Sequence, residues 1–271
     1  MTFEHAGAGA LDYLPCQYGT SKLVFRGPGR HLDRDYALFI GGTETYGKFI
    51  PRPFPSLVEE MTGIPSINFG CVNAGIDAFA QDATVIARAR RARVIVLQVM
   101  GAQYVSNCFY SVHPRRNDRF ITAHEPLRRL FPSVDFTEFN FIGHVLSALE
   151  RRSPRRFDLV VRALQKTWSH RMATILHHMA RPAVLLWLEE GPDHAHGFVT
   201  PAMMSELRPI AAAMIQVRCE EAAAQDNGGM VFTPFEATAA VGLPNAATHL
   251  RVAQDLSAVI NDLSARGALK R

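Results

Sequence analysis

The sequence predicts an α/β fold of three layers: a parallel sheet, helices on both of its faces, and an inserted helical pair. Short apolar runs alternate with helix-period patterns, which is how strands joined by crossover helices are written. The run Val94–Met100 is nearly all apolar, as a strand covered on both faces requires. Right-handed crossovers between successive strands then favour a strand order of 2-1-3-4-5.

Five runs read as strands: Tyr36–Ile40, stopped by Gly41-Gly42, then Ser66–Phe69, stopped by Gly70, then Val94–Met100, Ala183–Leu188 and a weaker Met214–Val217. Pro55–Met61 and Ala78–Arg91 are helical, the second ending in a basic turn that suits a helix C-terminus. Gly101 to Asp135 shows no convincing regular structure and is too long for a plain connection, so it reads as an ordered, functional loop. Asn140–Leu149 and Arg155–His178 form the helical pair. In the second, Phe157, Val160, Val161, Leu164, Trp168, Met172, Ile175 and Met179 recur at three- and four-residue steps, one apolar face. Asn245–Leu263 closes the chain, with Ala246, Leu250, Ala253, Leu256, Ile260 and Leu263 on one side. No repeat or linker interrupts this pattern, which predicts one domain: an irregular segment 1–35 and a core over 36–263.

Composition narrows the class. The 271 residues are 48% hydrophobic and 20% charged, ordinary globular values that exclude disordered and fibrous classes. A chain this long buries roughly 70–75% of its unfolded surface. Basic residues number 29 against 25 acidic, too small an excess to point to nucleic acid. The four cysteines are far apart, without metal-ligand spacing, and predict free thiols. No apolar run reaches the ~18 residues of a membrane span, and Met1 to Leu14 has neither a basic n-region nor an apolar h-region. The expected setting is cytoplasmic, with no membrane partner, no metal and no cofactor.

The candidate chemistry lies where the first three strands end. The first runs into Phe39-Ile40-Gly41-Gly42-Thr43-Glu44-Thr45-Tyr46-Gly47, which places the Thr43 hydroxyl at the carboxyl edge of the sheet, where open α/β folds bind ligands. The second leads into Asn68-Phe69-Gly70-Cys71-Val72-Asn73-Ala74-Gly75, the third into Gly101-Ala102-Gln103-Tyr104. After the fourth, Asp193 and His196 form a D-x-x-H within a polar loop. Thr43 reads as a turn cap, a nucleophile or a ligand contact, and Glu44 as a turn residue or a base. The stretch Ser106–Phe120 interleaves guanidinium groups with aromatics. Asn107, Tyr110, His113, Arg115, Arg116 and Arg119 are its candidate contacts to an anionic or carbohydrate-like small molecule. A charge cluster tied to the protein's own acids and carbonyls is the competing reading.

In these blocks and their order, from Tyr36 to Leu263, the chain resembles the SGNH (GDSL-type) hydrolases, most closely an offshoot with a G-G-T-E-T-Y-G-K-F signature. The resemblance implies a flavodoxin-like sheet, with Thr43 in the place of the nucleophilic serine and Gly42 in that of its neighbouring aspartate. It also implies that Gly70 or Gly75, with Gln103 or Asn107, occupies the oxyanion-donor positions. The family's last block, D-x-x-H before the final helix, falls on Ala240 and Leu243, ahead of Pro244-Asn245. Leucine takes no proton from a hydroxyl, so the usual activation of the nucleophile is missing. His249, six residues further on, is expected to pack or cap. Two functions follow as expectations. The first is a small-molecule or carbohydrate-derivative binding protein without ordinary esterase activity. The alternative is an esterase or acyltransferase that uses Thr43 with Asp193 and His196 as a relocated base.

Overall fold

The structure is a computed structural model and describes residues 10–33, 35–189, 198–218 and 227–269. Its elements follow in order β1 (Ala37–Gly41), α1 (Thr43–Tyr46), α2 (Phe54–Thr62), β2 (Ser66–Gly70), α3 (Ile76–Ala80), α4 (Ala83–Ala89) and β3 (Val94–Gln98). Then come β4 (Tyr110–Val112), β5 (Phe120–Ala123), α5 (Glu125–Leu130), α6 (Ile142–Arg152), α7 (Pro154–Met179), β6 (Ala183–Glu189) and α8 (Pro201–Leu207). The last are β7 (Ala213–Arg218), α9 (Ala237–Ala240) and α10 (Ala246–Ala265). Strands β2-β1-β3-β6-β7 form one sheet, parallel throughout, which is the expected order.

Alternation along each strand builds the three layers. Leu38, Ile40, Ile67, Phe69, Ile95, Leu97 and Leu185 face a core closed by residues of α3, α4, α6 and α7. Ala37, Phe39, Val94, Val96, Val184, Leu186 and Val217 face the other way, against Phe54, Leu57 and Val58 of α2 and Val252, Leu256 and Ile260 of α10. The α7 stripe is buried as its spacing predicts except at Val161, which is half-buried at its margin, and Trp168 donates its Nε1–H to the Met100 carbonyl at 2.8 Å, fixing this helix beneath the exit of β3. On the edge strand β2, Phe25 stacks on Phe69 with ring centroids 4.1 Å apart, so the N-terminal segment covers that side.

Three expectations are corrected. The helix read over Ala78–Arg91 is two helices, because the Asp82 carboxylate accepts the Val85 N–H and starts a second one. Gly101 to Asp135 is ordered into regular pieces: the antiparallel pair β4–β5, with a register shift beside Ser111, and the helix α5. Leu250 is exposed, and Val252 takes the core position on α10.

One junction joins α2 to α10. Phe54 N–H, which opens α2 and has no helical acceptor, donates to His249 Nδ1 at 3.1 Å, while the imidazole stacks on the Phe54 ring. His249 is therefore a cap for another helix, as its position suggested. Burial, with a smaller contribution from the Arg26 charge, lowers its pKa to about 3. Unfolded, the imidazole protonates below about 6.5. Between these values the unfolded chain binds more protons, so this contribution is complete above pH 6.5 and is lost as pH falls through the window. Urea unfolding of the wild type against His249→Asn, which keeps an acceptor for Phe54 N–H, should give a stability difference falling by about 1.4 kcal/mol per pH unit below 6.5. Asp77, whose carboxyl burial pushes up, titrates in both proteins and cancels. Parallel pH profiles would contradict the assignment.

Candidate functional site

The carboxyl edge is organised by a residue the sequence reading passed over. Gln98 ends β3, and its side-chain Oε1 accepts three hydrogen bonds: from Gly42 N–H at 3.0 Å, Thr45 N–H at 3.3 Å and the Thr45 hydroxyl at 2.6 Å. Its Nε2 donates to Glu44 Oε2 at 2.6 Å. One buried amide thereby fixes the whole turn from β1 into α1. A signal for it existed: Gln98 is the lone polar side chain in Val94–Met100.

Thr43 is the first residue of α1, half-buried, and its hydroxyl does not cap its own turn. Instead Oγ1 accepts the Asn73 N–H at 3.0 Å, across the gap to the loop after β2. Asn73 holds the left-handed region (φ 60°), which asparagine tolerates better than most side chains. Thr43 and Glu44 thus stand together at the edge. Glu44 Oε1 has no hydrogen-bond partner among the described residues.

The glycines singled out at this edge have their N–H groups engaged within the protein. Gly42 N–H is held by Gln98. Gly70 N–H donates to Asn68 Oδ1 at 2.7 Å, while Asn68 Nδ2 donates to the Thr45 carbonyl at 2.8 Å. Gly75 N–H donates to Asn117 Oδ1 at 2.6 Å. At Gly70 the reason for glycine is close approach: a β-carbon would collide with the backbone of Thr45 and Tyr46, so α1 seats directly on β2. Gln103 lies beside Gly101, 9% exposed, with Oε1 buried and unpartnered among the described residues.

Ser106–Phe120 packs beside this edge, held at two points. Asn117, fully buried, bridges Gly75 N–H to the His113 carbonyl. Asp77 accepts Ser106 N–H at 3.0 Å and meets Arg171 at 2.7 Å, a charge contact without hydrogen-bond alignment. Most of the ligand contacts expected in this stretch are used internally. Asn107 Oδ1 accepts Phe109 N–H and Tyr110 N–H, and the buried Tyr110 hydroxyl donates to the Gln103 carbonyl at 2.9 Å. His113 Nδ1 accepts Arg115 N–H and Arg116 N–H. Arg115 and Arg116 are exposed at the tip, and Arg119 lies over the Phe141 ring with its guanidinium carbon 6.0 Å from the centroid. The three arginines do not converge on Thr43 through any bond among the described residues. Asp193 and His196 lie outside the described residues.

The loop's anchorage therefore rests on Asn117 and on the Asp77–Ser106 bond, not on its exposed arginine tip. Asn117→Ala leaves Gly75 N–H and the His113 carbonyl buried without partners, and chemical denaturation should show a loss of about 1–3 kcal/mol for each. Arg115→Ala and Arg116→Ala should leave the unfolding midpoint nearly unchanged. Equal losses for the three variants would refute this division.

A lipase from a goat rumen metagenome, known from its crystal structure, aligns over 83% of this chain and 97% of its own, at 13% identity and a TM-score of 0.41. No curated protein matches the chain. The family described as Domain of unknown function (DUF6473) matches residues 1–264, nearly the whole length over which the sheet, its helices and the Gln98-centred edge are built, and the chain belongs to it.

Proposed function

We propose that this protein is a non-hydrolytic ligand-binding domain on an SGNH-like scaffold, holding a small hydroxyl-bearing molecule, a carbohydrate derivative, over Thr43 and Glu44. One observation carries the reading. The backbone N–H groups of Gly42, Gly70 and Gly75 are all bonded to side-chain amides of the protein itself. Ester hydrolysis gathers negative charge on the carbonyl oxygen and needs free, preorganised donors aimed at it. Beside these engaged amides the edge presents an acceptor: Glu44 Oε1, without a hydrogen-bond partner among the described residues, next to the Thr43 hydroxyl. Sugar hydroxyls are donors and complement such a surface. Leu243, in the place where the resembling hydrolases carry histidine, supplies no base for Thr43. Cys16, Cys71 and Cys108 are free thiols, which suits a reducing, cytoplasmic setting.

Two measurements test this. Hydrolysis of p-nitrophenyl acetate by the wild type should equal that of Thr43→Ala. Turnover that both Thr43→Ala and His196→Ala abolish would establish the relocated-base hydrolase instead. In a thermal-shift series of neutral sugars and their derivatives, at least one compound should raise the midpoint, and Glu44→Gln should remove that rise. A flat response to the whole series would contradict the binding reading.

A further inference from the structure

A second feature lies away from the carboxyl edge. A small cleft opens where the N-terminal segment, the start of α2 and the edge strand β2 meet, lined in part by Tyr18, Arg26, Arg30, Ser56, Ser66 and Asn68. Arg26 is the unusual member. It is only 8% exposed, yet no carboxylate pairs with it among the described residues. Its guanidinium donates instead to three backbone carbonyls, Tyr46 and Gly47 through Nη1 at 3.2 and 2.6 Å, and Pro51 through Nη2 at 3.0 Å.

Carbonyls satisfy N–H groups but do not neutralise a charge. A buried cation is costly unless an anion accompanies it. Burial lowers the Arg26 pKa, and the Tyr13 ring lies 5.3 Å from its guanidinium carbon, an aromatic face that eases the charge without supplying an anion. Three bonds leave two of the five guanidinium N–H groups without a protein acceptor among the described residues.

The rest of the cleft continues the pattern. Arg30 sits beside Arg26 in the lining and engages Glu59 through Nη1 alone, at 2.7 and 2.8 Å. Glu59 also takes the Ser66 N–H at 2.9 Å, so its charge is shared between two donors. Ser56, exposed in the first turn of α2, stands at the positive end of that helix dipole. Two cations and a helix start thus face one carboxylate that is already engaged.

We infer that this cleft binds the tetrahedral oxyanion group, phosphate or sulfate, of a small ligand, with Arg26 as the buried counter-charge and Arg30 beside it. The site is separate from Thr43 and Glu44. Arg26 also holds the carbonyls that end α1, so the cleft is linked to the C-terminal end of the same helix that presents Thr43.

The test is thermal unfolding of the full chain in rising inorganic phosphate, with ionic strength held constant by sodium chloride. The wild-type midpoint should rise with phosphate, as binding to the folded state alone requires. Arg30→Gln should weaken the apparent affinity about tenfold, the loss expected for one charge-assisted bond. Ser56→Asp should abolish the rise by placing a carboxylate where the anion sits. Arg26→Gln strips three carbonyls of their donor and is expected to destabilise the fold, so Arg30→Gln and Ser56→Asp decide the matter. Glu44→Gln should leave the response intact. A wild type indifferent to phosphate, equal responses in wild type and Ser56→Asp, or a response removed by Glu44→Gln would each overturn the proposal. A sulfate series distinguishes a general oxyanion site from one selective for phosphate.

Discussion

The side chain of Gln98 is the constraint on which the functional face depends. It is an amide at the end of a strand that is otherwise apolar, with the sheet on either side, and it accepts from Gly42 N–H, Thr45 N–H and the Thr45 hydroxyl while donating to Glu44. Each buried donor left unpaired costs about 1–3 kcal/mol, so this one residue makes an abrupt strand-to-helix turn affordable. The turn in turn sets α1 down on β2, where Gly70 leaves no side chain in the way. Thr43 and Glu44 owe their positions to that chain of contacts.

The same device recurs twice at the edge. Asn68 joins the end of β2 to the Thr45 carbonyl, and Asn117 joins the loop after β2 to the β4–β5 segment. Three side-chain amides, from three parts of the chain, occupy backbone groups that an acyl-transfer site would keep free. A polar network of this kind, tying side-chain amides to buried backbone groups, rigidifies and specifies one arrangement. What it leaves outward is a carboxylate oxygen and a hydroxyl. That combination is suited to gripping a hydroxyl-bearing ligand and poorly suited to stabilising an oxyanion. Arg26 meets the other end of the same short helix, where it binds the carbonyls of Tyr46 and Gly47.

The sheet was legible because burial on both faces writes strands as continuous apolar runs, and the place of Val94–Gln98 between β1 and β6 agrees with the order expected from right-handed crossovers. The α7 stripe was legible for the same reason of periodicity. The β4–β5 pair was not, since strands of three and four residues with mixed exposure carry too little pattern. The break at Gln81-Asp82 was hidden by helical residues on both sides; the cap at Asp82 was its only signal. At the site, the positions of Gly42, Thr43 and Gly70 could be read from where strands stop. Their partners could not, because Gln98, Asn68 and Asn117 come from three separate segments that only the folded chain brings together. Asn117 in particular sits among arginines and looks like a solvated loop residue, yet it is fully buried.

The central claim is that the backbone N–H groups of Gly42, Gly70 and Gly75 are closed within the protein, and residue-resolved amide hydrogen exchange measures it directly. The account predicts that the amides of Gly42, Thr45, Gly70 and Gly75 exchange as slowly as the paired amides of β1. Exchange of Gly70 and Gly75 at the rate of an open chain, while the β1 amides remain protected, would contradict it and return those N–H groups to the pool of donors free for catalysis.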